Sequence, residues 1–188
     1  MKKLLVVLGA LVIVGLIAFG WYRRGYDTAI ALDEQVKSSW AQVENQLQRR
    51  NDLIPNLVNT VKGFAAQEKS ILTEVTRLRS QWGEAKTINE KIDTANQLTG
   101  ALSRLLLVSE NYPQLKSNEN FLALQSQLEG TENRIAVERM RYNEAVQQFN
   151  SFRRSLFGKF FASSAGLKEE AAYFKAAEGA KQVPQVSF

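Results

Sequence analysis

"QLQRRNDLIPNLVNTVKG", residues 46–63, decides how this chain folds. Leu47, Ile54, Leu57 and Val61 keep a helical spacing through it. Yet the stretch also holds two arginines, an Asn-Asp pair and Pro55, which has no backbone N–H to donate. Upstream, Ala29, Leu32, Val36, Trp40, Val43 and Leu47 alternate steps of three and four. Downstream, Ile54, Leu57, Val61, Phe64, Ile71, Val75, Leu78 and Trp82 carry the same stripe onward. Because phase survives Pro55, the pattern predicts one continuous helix, bent where the Asn51 carbonyl loses its donor. In the alternative, Asp52 caps a new helix and Pro55 falls in its first turn, where proline loses no hydrogen bond.

"WGEAKTINE", with Gly83 and its polar cluster, reads as a loop. A second segment, from about Ile88 to Ser109, places Ile92, Ala95, Leu98, Leu102 and Leu105 on one face. "ENYPQLKSNEN" ends it: Pro113 stops the helix, and Ser117 or Asn118 can cap the next. That next helix holds Phe121, Leu124, Leu128, Ile135, Tyr142, Phe149 and Phe152, with polar Thr131 and Glu138 on its seam. A short alanine-rich helix is expected around residues 167–178, followed by the tail "QVPQVSF". No alternating strand pattern is present. The fold class read from this is all-α: an N-terminal single transmembrane helix, then a long-helix antiparallel bundle of three to four helices. A two-stranded coiled coil is the rival, but segments of one chain can bury one another's stripes. The expected divisions are an anchor at 1–25, a bundle at 26–160, and a short C-terminal helix and tail at 161–188.

The anchor is "MKKLLVVLGALVIVGLIAFGWYRRGY". No charge occurs between Leu4 and Tyr22, a run that would make a helix of about 28 Å against a hydrocarbon core of about 30 Å. Trp21 and Tyr22 close the run where an interfacial aromatic belt belongs, and Arg23 and Arg24 follow. A cleaved signal peptide, with Ala18-Phe19-Gly20 as its small-x-small site, is the competing reading. The long apolar run and the basic residues directly after it favour retention. Lys2 and Lys3 nearly balance Arg23 and Arg24, so orientation rests on the short basic start, which favours the N-terminus inside and the body exported.

Composition excludes several chemistries. The 188 residues include no cysteine and no histidine, which removes disulfides, thiolate nucleophiles, the usual general base and most zinc sites. Without cysteine the chain cannot be a lipoprotein. Two of the 24 basic residues are Lys2 and Lys3, so the body is only mildly basic against 19 acidic residues. Nucleic acid is therefore not an expected partner. Glu169 and Glu170 are adjacent and diverge on a helix, and "NDLIPN" lacks calcium-loop spacing, so no metal or cofactor is expected.

With the segments in place, "QLQRRNDLIPNLVNTVKGFAAQE", "ENYPQLKSNENFLALQSQLEGTENRIAVERMRYNEAVQQFN" and "YFKAAEGAKQVPQVSF" resemble the LemA family of bacterial membrane-anchored helical proteins. The likeness covers nearly the whole chain in the family's order. Its motif residues here are Arg49, Arg50, Asp52, Pro55, Asn56, Glu68, Tyr112, Pro113, Glu138, Tyr142 and Asn143. "LFGKFFASSAGLKEE" departs from it, lacking the Phe-Pro turn common in the family. The resemblance implies an anchored helical bundle, in some members linked to organising or remodelling membranes, and no shared catalytic activity. Family membership speaks to architecture more than to function.

Two clusters stand out as candidate contacts. Arg49, Arg50 and Asp52 are placed to form an ionic cluster with Glu132 or Glu138, or else a solvated basic turn. "FNSFRRSLFGKFFA" interleaves Phe149, Phe152, Phe157, Phe160 and Phe161 with cations. With Trp21 and Tyr22, these rings suit either a membrane interface or assembly contacts, or a cap on the bundle core. No nucleophile–base pair is present to propose, so an enzyme is not expected. The expected role is self-association or partner binding at a bacterial membrane, with an adaptor for a membrane protease or signalling complex as the alternative. Gly9, Gly15 and Gly20 each have a large residue four positions on, so the anchor lacks a GxxxG face. Assembly is expected to fall to the body, through Trp40, Trp82 and the phenylalanine run.

Overall fold

The computed structural model describes residues 2–175. Six helices follow one another: α1 (Lys2–Phe64), α2 (Lys69–Glu84), α3 (Ile88–Val108), α4 (Pro113–Lys116), α5 (Glu119–Arg154) and α6 (Leu156–Ser164). A 3-10 turn at Ser109–Asn111 links α3 to α4. No strand is present among the described residues. The all-α bundle is therefore as the sequence pattern predicts. The expected tail "QVPQVSF" and residues 176–178 of the expected last helix lie outside the described residues.

Two compact units divide the described residues: 2–40 with 141–171, and 41–140 with 172–175. The second holds the larger core. Ile54, Leu57 and Val61 of α1 pack with Val75 and Leu78 of α2, Leu98 and Leu105 of α3, Leu115 of α4 and Phe121 of α5. Burying each such side chain contributes about 1.5–3 kcal/mol, offset by the ordering of its backbone at about 1–2 kcal/mol per residue. Antiparallel order in the α2–α3 hairpin is visible in its pairs. Glu74 meets Arg104 at 2.7 Å, while Lys91 lies 5.3 Å from the centre of the Trp82 ring. Thr87 starts α3 with a reciprocal capping box: its hydroxyl accepts from the Glu90 N–H, and the Glu90 carboxylate accepts from the Thr87 N–H. Those backbone donors, Lys86 first, hold the Glu90 carboxyl below its ordinary range. In the first unit, Trp40 meets Tyr142 edge to face at 5.4 Å, and Ala145, Val146 and Phe149 are buried.

α1 runs unbroken for 63 residues with Pro55 inside it. Asp52 is no N-cap; it accepts a hydrogen bond from Gln48 at 2.7 Å on the helix surface. The carbonyl that proline orphans, that of Asn51, accepts instead from Arg79 Nε of α2 at 3.2 Å. A neighbouring helix thus supplies the missing donor, which explains how a helix keeps its register through proline. Arg79→Met should cost about 1 kcal/mol, the net worth of one hydrogen bond. In a Pro55→Ala background the restored amide satisfies Asn51, and the same substitution should cost little. A double-mutant cycle by urea unfolding is expected to show this coupling, and strict additivity would rule the capping role out.

Three expectations need correction. The stripe does not run from Phe64 to Ile71 in one helix: α1 ends at Phe64, and a turn over Ala65–Glu68 separates it from α2. A seven-residue step preserves phase whether or not the helix breaks, and Gly63 weakens the helix there. Ala65 is fully buried in that turn, while Phe64 is exposed. Second, residues 167–175 are not helical. Asn150, itself buried, takes both Ala171 backbone groups at 2.9 Å, and Arg153 donates to the Lys168 carbonyl. These side chains supply the partners a helix would have supplied. Third, Trp40 and Trp82 are interior residues, 7% and 3% exposed, and so offer no assembly surface. Of the two possible caps for the long helix, Asn118 serves, accepting from the Phe121 N–H at 3.0 Å.

Candidate functional site

Arg50 occupies the middle of α1 and is 2% exposed within the larger unit. Its Nη1 donates to Thr99 Oγ1 at 2.7 Å and to Glu132 Oε2 at 3.1 Å, and its Nη2 to the Ala95 carbonyl at 3.1 Å. One guanidinium therefore ties α1, α3 and α5 together. Nε has no partner. Burial pulls the guanidinium below its ordinary value, and the Glu132 carboxylate opposes that. Such a group costs desolvation, which its three hydrogen bonds and the Glu132 carboxylate offset. Beside it, Asn51 is buried, and its Oδ1 finds no partner among the described residues.

Of the cluster expected here, the structure brings together Arg50 and Glu132. Arg49, Asp52 and Asn56 are exposed on α1, Pro55 is half-buried, and Glu138 is half-buried on α5. Glu68 and Tyr112 meet: the Tyr112 hydroxyl donates to Glu68 Oε1 at 3.1 Å, joining the turn after α1 to the segment before α4. Burial, then the carboxylate, raises the Tyr112 phenol. Pro113 opens α4 at its first position, where a missing N–H costs nothing. Tyr142 is buried, which pushes its phenol up to about 12, and Asn143 beside it is half-buried.

The second cluster lies in the smaller unit, where the apolar run of α1 ends. Trp21 contacts Phe161 at 4.9 Å and Phe157 at 5.2 Å, ring to ring. Tyr22 contacts Phe161 at 6.0 Å and Phe160 at 6.1 Å. Phe161 is buried, and it sits so close to α1 that a Cβ on Gly25 would lie 2.3 Å from its ring. Phe149 is buried too and Phe152 half-buried, whereas Phe157 and Phe160 remain exposed. The phenylalanine run thus splits into interior and exterior members. α6 itself was not foreseen as a separate helix. Its signal was Ser155, which caps it by accepting from the Gly158 N–H at 3.1 Å. Gly158 is required there, since a Cβ would lie 1.9 Å from the Phe152 carbonyl oxygen.

Before these clusters, α1 carries an apolar window with none of its residues buried, long and apolar enough to cross a membrane. Among the described residues no group of three acidic side chains is close enough to hold a metal.

Comparison with known proteins gives a consistent picture. The model of the LemA family matches residues 39–188. Magnetosome proteins MamQ 1 and MamQ 2 of Paramagnetospirillum magneticum are each 28% identical over 173 residues, covering 78% of this chain and 62% of theirs. Magnetosome protein MamQ of Magnetospirillum gryphiswaldense is 24% identical over 151 residues, covering 66% of this chain and 56% of its own. The chain therefore spans about three fifths of the length of these relatives.

Proposed function

The chain belongs to the LemA family, and on that premise we propose that it is a single-pass, membrane-anchored helical scaffold. Its role is non-enzymatic: copies associate through their bodies and so organise or shape a bacterial membrane. The observation that carries this reading is the continuity of α1. One helix presents an unburied apolar window and then, without a break, supplies Ile54, Leu57 and Val61 to a packed core. Residues 1–25 serve as anchor, 26–160 as bundle and 161–188 as a terminal segment, with the body exported from an inner membrane.

Self-association draws support from the outward side of α5, where Leu122, Val137 and Met140 are exposed, and from exposed Leu107 on α3. Exposed apolar patches mark contact surfaces. No two small residues of the anchor stand four positions apart, the spacing that close helix packing in the bilayer uses. Repeated contacts between anchored copies would close into rings or extend into arrays. Relatives named as magnetosome proteins accord with a membrane role.

An adaptor for a membrane protease or signalling complex is the second reading. A groove along α1 and α2, lined by Val58, Lys62, Lys69, Leu72 and Arg77, favours it, since apolar floor and cations suit an acidic, partly apolar segment. Two full-length copies with different tags, expressed together and solubilised in mild detergent, separate the readings. Recovery of the second tag with the first is expected. A stoichiometric foreign polypeptide without the second tag would favour the adaptor. Orientation is tested on the cysteine-free chain with Ser126→Cys, at an exposed site, and a membrane-impermeant maleimide. Labelling is expected once the outer membrane is opened; labelling only after the inner membrane is breached would reverse the topology.

A further inference from the structure

We propose that α6 is a second membrane contact that does not span: it lies in the headgroup layer at the foot of the anchor and binds anionic phospholipid. The inference rests on the anchor reading above and adds a surface to it. Trp21 and Tyr22 end the apolar run, at the depth where amphipathic rings sit in a bilayer. Their contacts with Phe157, Phe160 and Phe161 hold α6 at that same depth.

What α6 does with its own faces points the same way. Phe161 and Ala162 are buried against the protein. Leu156, Phe157 and Phe160 fall within one arc of the helix and are 84%, 58% and 55% exposed. In water this is an unfavourable face for a helix of nine residues. At an interface it is the buried half of an amphipathic element.

Charge selects the lipid. The helix "LFGKFFASS" has one charged residue, Lys159, at the flank of the apolar arc, and no carboxylate. Arg23 and Arg24 follow Trp21 and Tyr22 on α1, both exposed, and Arg23 lies 3.6 Å from the Asp27 carboxylate. The cations near its start are partly neutralised: Arg154 pairs with Glu170 at 2.6 Å, and Arg153 lies 3.6 Å from the same carboxylate. The Arg154 partner holds the Glu170 carboxyl below its ordinary range. Lys159 and Arg24, with Arg23 partly offset by Asp27, leave the two segments that carry the exposed rings with a net positive charge, complementary to an anionic bilayer surface.

The test uses full-length protein in vesicles of phosphatidylcholine mixed with phosphatidylglycerol. Single nitroxide labels are placed on the cysteine-free chain through Leu156→Cys and Phe160→Cys, with Val12→Cys and Ser126→Cys as depth references. Leu156 is so exposed that its replacement keeps the test valid should Phe160→Cys disturb packing. Labels at 156 and 160 are expected to lose accessibility to a polar nickel chelate and gain it to oxygen, at depths between the two references. Moving to pure phosphatidylcholine should shift both toward water. If both read like Ser126→Cys while Val12→Cys reads deep, the proposal fails and the anchor stands. If Val12→Cys also reads as water, the anchor reading fails with it. Dipolar broadening that disappears on dilution with unlabelled protein would name a second copy as the occupant and overturn the lipid assignment. Unchanged depth on removing phosphatidylglycerol would overturn the anionic preference.

Discussion

Full-length protein carrying Val12→Asp and Ile13→Asp is expected to leave the membrane fraction under a high-salt, alkaline wash. Both residues lie in the middle of the unburied apolar window of α1. An Asp at the centre of a spanning helix costs about 3 kcal/mol on insertion scales, so two cost roughly 6 kcal/mol, or about four orders of magnitude in partitioning. α6 does not compensate, because a nine-residue interfacial helix with one cation gives reversible attachment that such a wash removes. Sedimentation of the variant with membranes, as wild type does, would contradict the anchor.

Glu132→Ala should destabilise the bundle by about 3 kcal/mol, near the lower end for breaking a buried ion pair. The carboxylate is itself 42% exposed, but its loss leaves the buried Arg50 guanidinium without a counter-charge. In thermal unfolding this corresponds to a fall in midpoint of about 6–12 °C for a domain of this size. Arg50→Met should cost distinctly less. It replaces the buried charge with an apolar chain of similar length, leaves Glu132 free to hydrate, and leaves the Ala95 carbonyl bonded to Thr99 Oγ1 at 3.0 Å. That asymmetry is the signature of a desolvated charge needing its partner. Equal costs for the two substitutions would mean that the arginine contributes by packing alone.

Periodicity made the helices legible because burial leaves a mark at every third or fourth residue. Ala29 to Leu47, Ile92 to Leu105 and Phe121 to Phe149 needed no further information. Continuity through Pro55 was legible for the same reason, but its cause was not. The donor to Asn51 is Arg79, 28 residues away on another helix, and no local pattern announces it. The turn at Ala65–Glu68 was hidden because the repeat resumes in phase at Ile71. The segment 167–175 was misread because alanine content reports intrinsic propensity, while its backbone partners come from Asn150 and Arg153. In the Arg-Arg-Asn-Asp run, residue types suggested an ionic cluster, yet which arginine turns inward depends on helix phase. Arg50 lies three residues from Leu47 and four from Ile54, on the buried stripe; Arg49 lies one step off it and is exposed. Likewise, the split of the phenylalanine run into buried Phe149 and Phe161 and exposed Phe157 and Phe160 is set by the Ser155 break, which changes the register of α6 relative to α5.

The most direct test of the scaffold reading is the mass of the full-length protein, in mild detergent or lipid nanodiscs, measured by light scattering across a concentration series. Full length matters because a body beginning at residue 26 would lack Trp21 and Tyr22, the partners of Phe161. Particles of several copies are expected, with mass rising with concentration. They should be reduced toward single copies by Val137→Glu with Met140→Glu on the exposed side of α5. A single copy per particle at every concentration, unchanged by those substitutions, would contradict the account.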